Sequence, residues 1–330
     1  MSKLIMAAVS ALVLASATAV GAATSNYTVD NVAESRTATL HIPDGFEEDG
    51  VKAPVIVAFH GPGTSAGNFE YMTRILDEAD KRGYVVIIPN GSPRSQYEGL
   101  YWNVAPFLEP GDDYSLKTDE EFVVSLIDFL DEKGVVDRSR IFATGFSMGG
   151  MMAYKLACNM SDLFSAIAVV AGAETTVSCT PAFPVSVFHL HGLKDDRVPP
   201  GGGEVFEGSG VVWPNVREKL LGWRTRMSCG AEEMKSLPGE NYCFTSECHE
   251  GHLVRYCAAG SFGHEWPGRT RSKLYTKAYG EQKSSLDATT MILDFLDEVP
   301  GREIADDPTE EPVEEVSEAV LEPVGATAAE

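Results

Sequence analysis

Short apolar runs alternate with helical patterns along most of the chain. Five runs have the length and near-continuous hydrophobicity of strands buried in a parallel sheet: residues 54–59, 84–88, 141–144, 166–170 and 185–190. The clearest helix opens with the capping box Thr118-Asp119-Glu120-Glu121 and places five apolar side chains on one face, namely Phe122, Val123, Leu126, Ile127 and Leu130. Residues 286–296 predict a last helix that covers the sheet. The alternation predicts an α/β fold: a mostly parallel, doubly wound sheet with flanking helices and with loops at the carboxyl ends of its strands.

The start of the chain differs from the rest. Lys3 precedes an apolar stretch from Leu4 to Leu14, and small residues such as Ala17-Thr18-Ala19 follow. This pattern predicts a signal peptide over residues 1–23, because the alternative, a transmembrane anchor, needs a longer apolar segment. We therefore expect a secreted protein, extracellular or, in a bacterium, periplasmic.

The 330 residues suffice for one large α/β domain, which we place at residues 24–300 in preference to two smaller domains. The net charge is −23, and residues 302–330 hold ten acidic residues against one arginine, or −9 of that total. Such a composition predicts a disordered acidic tail over residues 301–330. The acidic balance also disfavours nucleic acid and anionic membranes as partners.

A serine between glycines gives the first chemical signal. Gly145-Phe146-Ser147-Met148-Gly149 follows a predicted strand and leads into an apolar helical pattern. A sharp strand-to-helix turn lifts a serine hydroxyl above the sheet edge, and small neighbours let strand and helix approach each other. Ser147 is therefore a candidate nucleophile, with an ordinary packing turn as the alternative.

A serine nucleophile needs a base and a carboxylate that orients the base, and α/β-hydrolases place these in the order serine, acid, histidine. The last of the five predicted strands runs into a loop that contains Asp195 and Asp196. We assign Asp195 as the acid, with Asp196 as its competitor. Among seven histidines, His264 lies in a glycine-flanked loop after a later strand-like segment, which suits a general base. We expect His191 to shape the acid loop.

Acyl transfer also needs N–H donors for the developing oxyanion. One is the N–H of Met148, at the start of the helix after the serine, where the helix dipole helps. The other is expected from the loop His60-Gly61-Pro62-Gly63-Thr64. Pro62 has no N–H, so the donor is Gly63 or Thr64, unless the loop departs from the common arrangement.

The cysteines indicate disulfides. All six lie between residues 158 and 257: Cys158, Cys179, Cys229, Cys243, Cys248 and Cys257. An even number in an exported chain predicts three bridges. A metal site is disfavoured because the sequence has no C-x-x-C pair and no cysteine with the histidine spacing of a zinc knuckle. We expect neither a metal nor a cofactor.

Several motifs together resemble the secreted polyhydroxybutyrate depolymerase and feruloyl esterase family of α/β-hydrolases. They are GFSMGGMMAYKLAC, HGLKDDRVP, GSFGHEWPG, the HGPG loop, Pro89-Asn90-Gly91 and Tyr101-Trp102-Asn103, and the resemblance covers about residues 36 to 300. It implies that Ser147 is the nucleophile, Asp195 the acid and His264 the base, in agreement with the order along the chain. It also implies a Cys158 to Cys179 bridge, while the other four cysteines keep three possible pairings.

The chain departs from that family in two places, which affects the rim of the substrate cleft. It lacks the cysteine pair often found just after the Trp-Asn step, and its stretch from Cys243 to Cys257 is denser in cysteine than usual. Trp102, Phe262 and Trp266 are candidates for an aromatic substrate platform near His264, with burial in the core as the alternative.

The resemblance implies an ester substrate, which includes polymeric ones such as polyhydroxyalkanoates and esters on plant polysaccharides, as well as small aryl esters. The leading function is therefore a secreted serine esterase. The alternatives are a serine peptidase of the same fold and a catalytically silent binding protein.

Overall fold

The structure is a computed structural model, and it describes residues 23–30, 35–43, 51–94, 98–104, 118–176, 178–204, 208, 212–268 and 285–303. The predicted signal peptide lies outside these residues, except for Ala23 at the start of the first strand. The predicted acidic tail also lies outside them beyond residue 303. Within the described part of the chain, no helix combines the length and the apolar character that crossing a bilayer requires.

A ten-stranded sheet forms the centre of the molecule. Its strands are β1 Ala23–Asp30, β2 Ser35–Ile42, β3 Ala53–Phe59, β4 Val85–Pro89, β7 Val136–Phe146, β8 Ala166–Val170, β9 Ser186–Gly192, β12 Glu233–Leu237, β13 Asn241–Glu247 and β14 Leu253–Ala259. Across the sheet they lie in the order β1-β2-β4-β3-β7-β8-β9-β14-β13-β12. Two short antiparallel pairs lie outside it, β5 Ser92–Pro93 with β6 Leu100–Tyr101 and β10 Gly203–Glu204 with β11 Val212–Trp213.

Helices cover both faces of this sheet. Among the described residues they are α1 Ala66–Thr73, α2 Ile75–Arg82, α3 Thr118–Asp131, α4 Met148–Asn159, α5 Val216–Arg226 and α6 Ala288–Glu298, together with a 3-10 turn at His249–Gly251. Side chains alternate across a strand, so Val55, Val57 and Phe59 of β3 join the core under α3 and α4, while Ile56 and Ala58 join the core under α2 and α6. Strand β3 is therefore buried on both faces, as its near-continuous apolar run predicts.

The predicted α/β architecture is confirmed. The six strands β4, β3, β7, β8, β9 and β14 pair in parallel in that order. Antiparallel strands extend the sheet at both edges, β1 and β2 on one side and β13 and β12 on the other. The apolar runs did not predict these edge strands, because β12 is almost entirely exposed and β13 mixes buried and half-buried positions.

Three disulfides join all six cysteines: Cys158 with Cys179, Cys229 with Cys248, and Cys243 with Cys257. The first fastens α4 to the segment after β8 and is the bridge that the family resemblance implied. The third links directly opposite residues of β13 and β14. The dense cysteine stretch thus braces the antiparallel edge of the sheet.

Candidate active site

The predicted nucleophile sits on a tight turn between β7 and α4. Ser147 has φ 55° and ψ −119°, which is a strained conformation for a residue other than glycine. Two glycines make the turn possible: a Cβ on Gly145 would collide with the backbone of Gly149, and one on Gly149 would collide with the carbonyl oxygen of Phe59. The strand and the helix therefore approach more closely than any side chain would allow, as the G-x-S-x-G pattern predicts.

The structure brings together the three predicted triad residues. His264 Nε2 lies 2.9 Å from Ser147 Oγ, and His264 Nδ1 lies 2.8 Å from Asp195 Oδ2. A carboxylate only accepts, so Nδ1 carries the proton and Nε2 is left to accept from the serine hydroxyl. The three residues follow β7, β9 and β14, whose carboxyl ends lie at one edge of the parallel sheet.

The carboxylate of Asp195 is completely buried and accepts several hydrogen bonds. Its Oδ1 accepts from the N–H groups of Arg197 and Val198 at 3.0 and 2.9 Å. Burial by itself raises the pKa of Asp195, but hydrogen bonds from His191 and His264, together with the charge of a protonated His264 and the Val198 N–H, hold that pKa well below the ordinary carboxyl range. Asp195 is therefore ionised at neutral pH. Asp196, the competing candidate, is exposed to solvent.

Of the three predicted oxyanion donors, one is corrected. The N–H of Gly63 donates to the carbonyl oxygen of Leu100 at 2.9 Å and is thereby occupied. Met148 begins α4, where the first N–H groups of a helix lack intrahelical acceptors, and this keeps it a candidate. Thr64 lies in the exposed part of the same loop and remains the other candidate.

The loop that carries Thr64 is held from beneath by His60. Its Nδ1–H donates to Gly61 O at 2.7 Å, and its Nε2 accepts from the N–H of Gly91 at 3.0 Å. Burial lowers the pKa of His60 to about 4, so the imidazole is neutral in this position. Trp102 Nε1 donates to the carbonyl oxygen of His60 at 2.9 Å. The Pro-Asn-Gly and Tyr-Trp-Asn motifs thus support the HGPG loop.

The predicted aromatic platform is also corrected. Trp102, Phe262 and Trp266 are 0%, 4% and 3% exposed, so all three belong to the core. Their rings pack against other core residues, which is the alternative to a substrate platform given above. The aromatic residue beside the base is instead Phe146. It is half-buried, and its ring centroid lies 4.9 Å from that of His264.

His191 bonds to the acid loop, with its Nε2 2.7 Å from Val198 O, but sequence reasoning missed the chain of buried polar groups to which it belongs. His189 and His191 are two residues apart on β9, so both side chains point to the same face of the sheet. His189 Nδ1 lies 2.8 Å from the hydroxyl of Tyr154 on α4. The H-x-H spacing in a buried strand is the signal that indicates such an arrangement.

Comparison with known families places this chain in a recognised group. The family model Esterase, described as "Putative esterase", matches residues 30–235, which is more than half of the chain. The chain therefore belongs to this esterase family. The match includes Ser147 and Asp195 and ends before His264.

Two curated relatives illustrate the relationship. Feruloyl esterase B of Piromyces equi is 28% identical over 240 residues, which cover 69% of this chain and 42% of that protein. The bifunctional acetylxylan esterase/xylanase XynS20E of Neocallimastix patriciarum is 26% identical over 144 residues, which cover 44% of this chain and 19% of that protein. The chain thus spans less than half the length of these relatives.

Solved structures agree on the fold. A thermostable esterase superposes with a TM-score of 0.53 at 15% identity, covering 84% of this chain and 63% of that one. An acylaminoacyl peptidase of Pyrococcus horikoshii gives 0.51 at 16% identity, covering 87% and 43%. Both an esterase and a peptidase share the α/β-hydrolase architecture, so the fold alone does not choose between these reactions.

Proposed function

We propose that this chain is a secreted serine esterase that hydrolyses carboxylic esters through an acyl-enzyme formed on Ser147. One observation carries the proposal: Ser147, on a strained turn, is hydrogen-bonded to His264, which is hydrogen-bonded in turn to the buried carboxylate of Asp195. This arrangement supplies a nucleophile, a base and an orienting acid in the required order.

In the first half-reaction, Ser147 Oγ attacks the acyl carbon while its proton moves to His264 Nε2. The carbonyl oxygen becomes an oxyanion, which the N–H of Met148 and a donor from the Thr64 loop stabilise. The tetrahedral intermediate collapses when the C–O bond of the ester breaks and His264 gives its proton to the departing alkoxide. Asp195 stabilises the imidazolium throughout and does not take the proton.

In the second half-reaction, water attacks the acyl-enzyme and gives its proton to His264 Nε2. The resulting intermediate expels Ser147 Oγ, which recovers the proton from His264. The products are a carboxylic acid and an alcohol, and the enzyme returns to its starting state.

For the substrate class, we propose feruloyl or acetyl esters carried by plant polysaccharides. The names of the two curated relatives support this choice. The disulfide pairing of all six cysteines supports the proposed secretion, because such bridges persist in oxidising compartments.

A substrate panel tests the proposal. Purified chain is assayed with methyl ferulate, acetylated xylan, 4-nitrophenyl acetate, hydroxybutyrate oligomers and peptide anilides, each beside Ser147→Ala. We expect turnover of the esters and a fall on the order of 10³-fold or more in the variant. Preferential cleavage of the anilides would indicate a peptidase, and preferential cleavage of hydroxybutyrate oligomers would replace the polysaccharide-ester assignment. Unchanged activity in Ser147→Ala would refute the mechanism.

A further inference from the structure

A continuous chain of hydrogen bonds runs from the helix of the nucleophile to the predicted acid. Tyr154 OH lies 2.8 Å from His189 Nδ1, and His189 Nε2 lies 2.9 Å from His191 Nδ1. His191 Nε2 then lies 2.7 Å from Val198 O and 3.2 Å from Asp195 Oδ2. Tyr154 is 1% exposed, and both histidines are completely buried.

The acceptors at the Asp195 end fix where every proton lies. Val198 O and the Asp195 carboxylate only accept, so His191 Nε2 carries the proton that faces them. When His191 is a neutral imidazole, its Nδ1 is an acceptor, and His189 then donates to it through Nε2. By the same rule His189 Nδ1 accepts, and the hydroxyl of Tyr154 donates to it. All donors therefore point toward Asp195.

The surroundings keep two members of the chain, His189 and Tyr154, neutral. Burial, reinforced by the neighbouring His191, lowers the pKa of His189 well below its usual value. Burial, reinforced by the charge of Glu174, raises the pKa of Tyr154 well above its usual value. Glu174 is itself buried and paired with Lys219 at 3.2 Å. Tyr256 of β14 packs on His189, with 6.1 Å between the two ring centroids, and burial raises the pKa of the Tyr256 hydroxyl to about 12.

We propose that Tyr154, His189 and His191 form a positioning relay that fixes the carboxylate of Asp195 and partly neutralises it. The proposal rests on the proposed function, because Asp195 must orient His264 for the relay to affect turnover. Tyr154 is seven residues after Ser147 on α4, so the relay also ties the helix of the nucleophile to the loop of the acid.

The hydroxyl of Tyr154 reinforces the direction that the acceptors at the Asp195 end set, because it donates to His189 Nδ1. Without this donor, His189 can carry its proton on Nδ1 and accept through Nε2. His191 then donates through Nδ1 and turns an unprotonated Nε2 toward two oxygen acceptors. The carboxylate of Asp195 loses a donor, and its full charge acts on the His264 imidazolium.

Four variants of the full chain test the relay on 4-nitrophenyl acetate. His191→Leu removes the donor to Asp195, whereas His191→Gln keeps an N–H near the same place. Tyr154→Phe removes the terminal hydroxyl. Tyr256→Phe is the matched control, because it deletes the hydroxyl of a buried tyrosine whose ring packs beside His189. Circular dichroism verifies that each variant folds.

We expect His191→Leu to lower kcat about 10-fold to 100-fold with KM within about twofold, as for a lost hydrogen bond to a charged group. Because the full charge of Asp195 then favours the His264 imidazolium, the acid limb of kcat/KM moves up by about half a pH unit. His191→Gln recovers kcat to within about fivefold of wild type, and Tyr154→Phe lowers kcat about threefold to tenfold with a limb shift of the same sign. Tyr256→Phe leaves kcat and the limb unchanged.

Wild-type kcat and an unmoved acid limb in folded Tyr154→Phe and His191→Leu would overturn the relay, as would equal effects of Tyr154→Phe and Tyr256→Phe. If His191→Leu does not fold, Tyr154→Phe and His191→Gln carry the test. Ser147→Ala is assayed alongside. Turnover retained in Ser147→Ala refutes the proposed function, whereas its loss together with unaffected relay variants refutes the relay alone.

Discussion

The hydroxyl oxygen of Ser147 and the Nε2 atom of His264 lie 2.9 Å apart, although 117 residues separate them in the chain. The parallel sheet produces this proximity. Ser147 follows β7 and His264 follows β14, and both strands end at the same edge of the sheet. Asp195 follows β9, which lies between them. Each member of the proposed triad therefore takes its position from a different strand.

Substitution of the two neighbouring aspartates by asparagine should have very different effects on kcat. Asp195→Asn replaces an acceptor of the His264 Nδ1–H with a group that favours the wrong tautomer, so we expect kcat to fall on the order of 10³-fold to 10⁴-fold. Asp196→Asn changes an exposed side chain and should leave kcat within about twofold. Steady-state kinetics on one soluble ester compare the two variants. The reverse ranking would assign the acid role to Asp196.

Substitution by alanine should change the free energy of unfolding in opposite directions at Gly149, next to the serine turn, and at Gly67, on the surface of α1. Gly149→Ala directs a Cβ into the carbonyl oxygens of Phe59 and His60, so we expect a loss of more than about 3 kcal/mol in the free energy of unfolding. Gly67→Ala, on the exposed side of α1, has nothing within 4 Å and should gain roughly 0.5 to 1 kcal/mol. Urea denaturation measures both. Equal stability of the two variants would show that the turn has room for a side chain.

Local sequence patterns were sufficient to predict the centre of the fold and the proposed triad. Parallel strands that are buried on both faces have continuous apolar runs in their sequence, and the structure has strands at all five predicted runs. Ser147, Asp195 and His264 were identifiable because each lies in a loop just after a strand, in the order that α/β-hydrolases use. These signals need only a few neighbouring residues.

Features that depend on distant partners were not predictable in the same way. Nothing near Gly63 in the sequence reveals that Leu100 occupies its N–H. Asp119 and Glu120 are buried, although their charges indicate a helix start facing solvent, because Arg36 and Lys155 pair with them from other elements. The burial of Trp102 likewise involves a distant partner, because its indole N–H donates to the carbonyl oxygen of His60, 42 residues away.

Acid should destabilise the protein partly through His60. Its pKa is lowered to about 4 in the folded state, against about 6.5 when unfolded. Below pH 6.5 the unfolded chain binds the extra proton first, so the stability contributed by neutral His60 is complete above pH 6.5 and is lost as pH falls toward 4. We expect a loss of roughly 2 to 3 kcal/mol from this residue between pH 7.5 and 4.5.

His60→Asn isolates that contribution because it cannot titrate, while its amide retains a donor for Gly61 O. The variant should be less stable than wild type at pH 7.5, and the difference should narrow by roughly 2 to 3 kcal/mol at pH 4.5. Urea denaturation at the two pH values gives the comparison. A difference that stays constant would mean that His60 does not resist protonation in the folded protein.

The acyl-enzyme itself gives the most direct test of the proposed mechanism. Wild-type protein is mixed with 4-nitrophenyl acetate, quenched in acid during the first turnover and digested, and the peptides are analysed by mass spectrometry. An acetyl group on Ser147 is the predicted result, with no such adduct in Ser147→Ala under the same conditions. Acetylation of another residue at the rate of turnover, or undiminished turnover by Ser147→Ala, would contradict the assignment of Ser147 as the nucleophile.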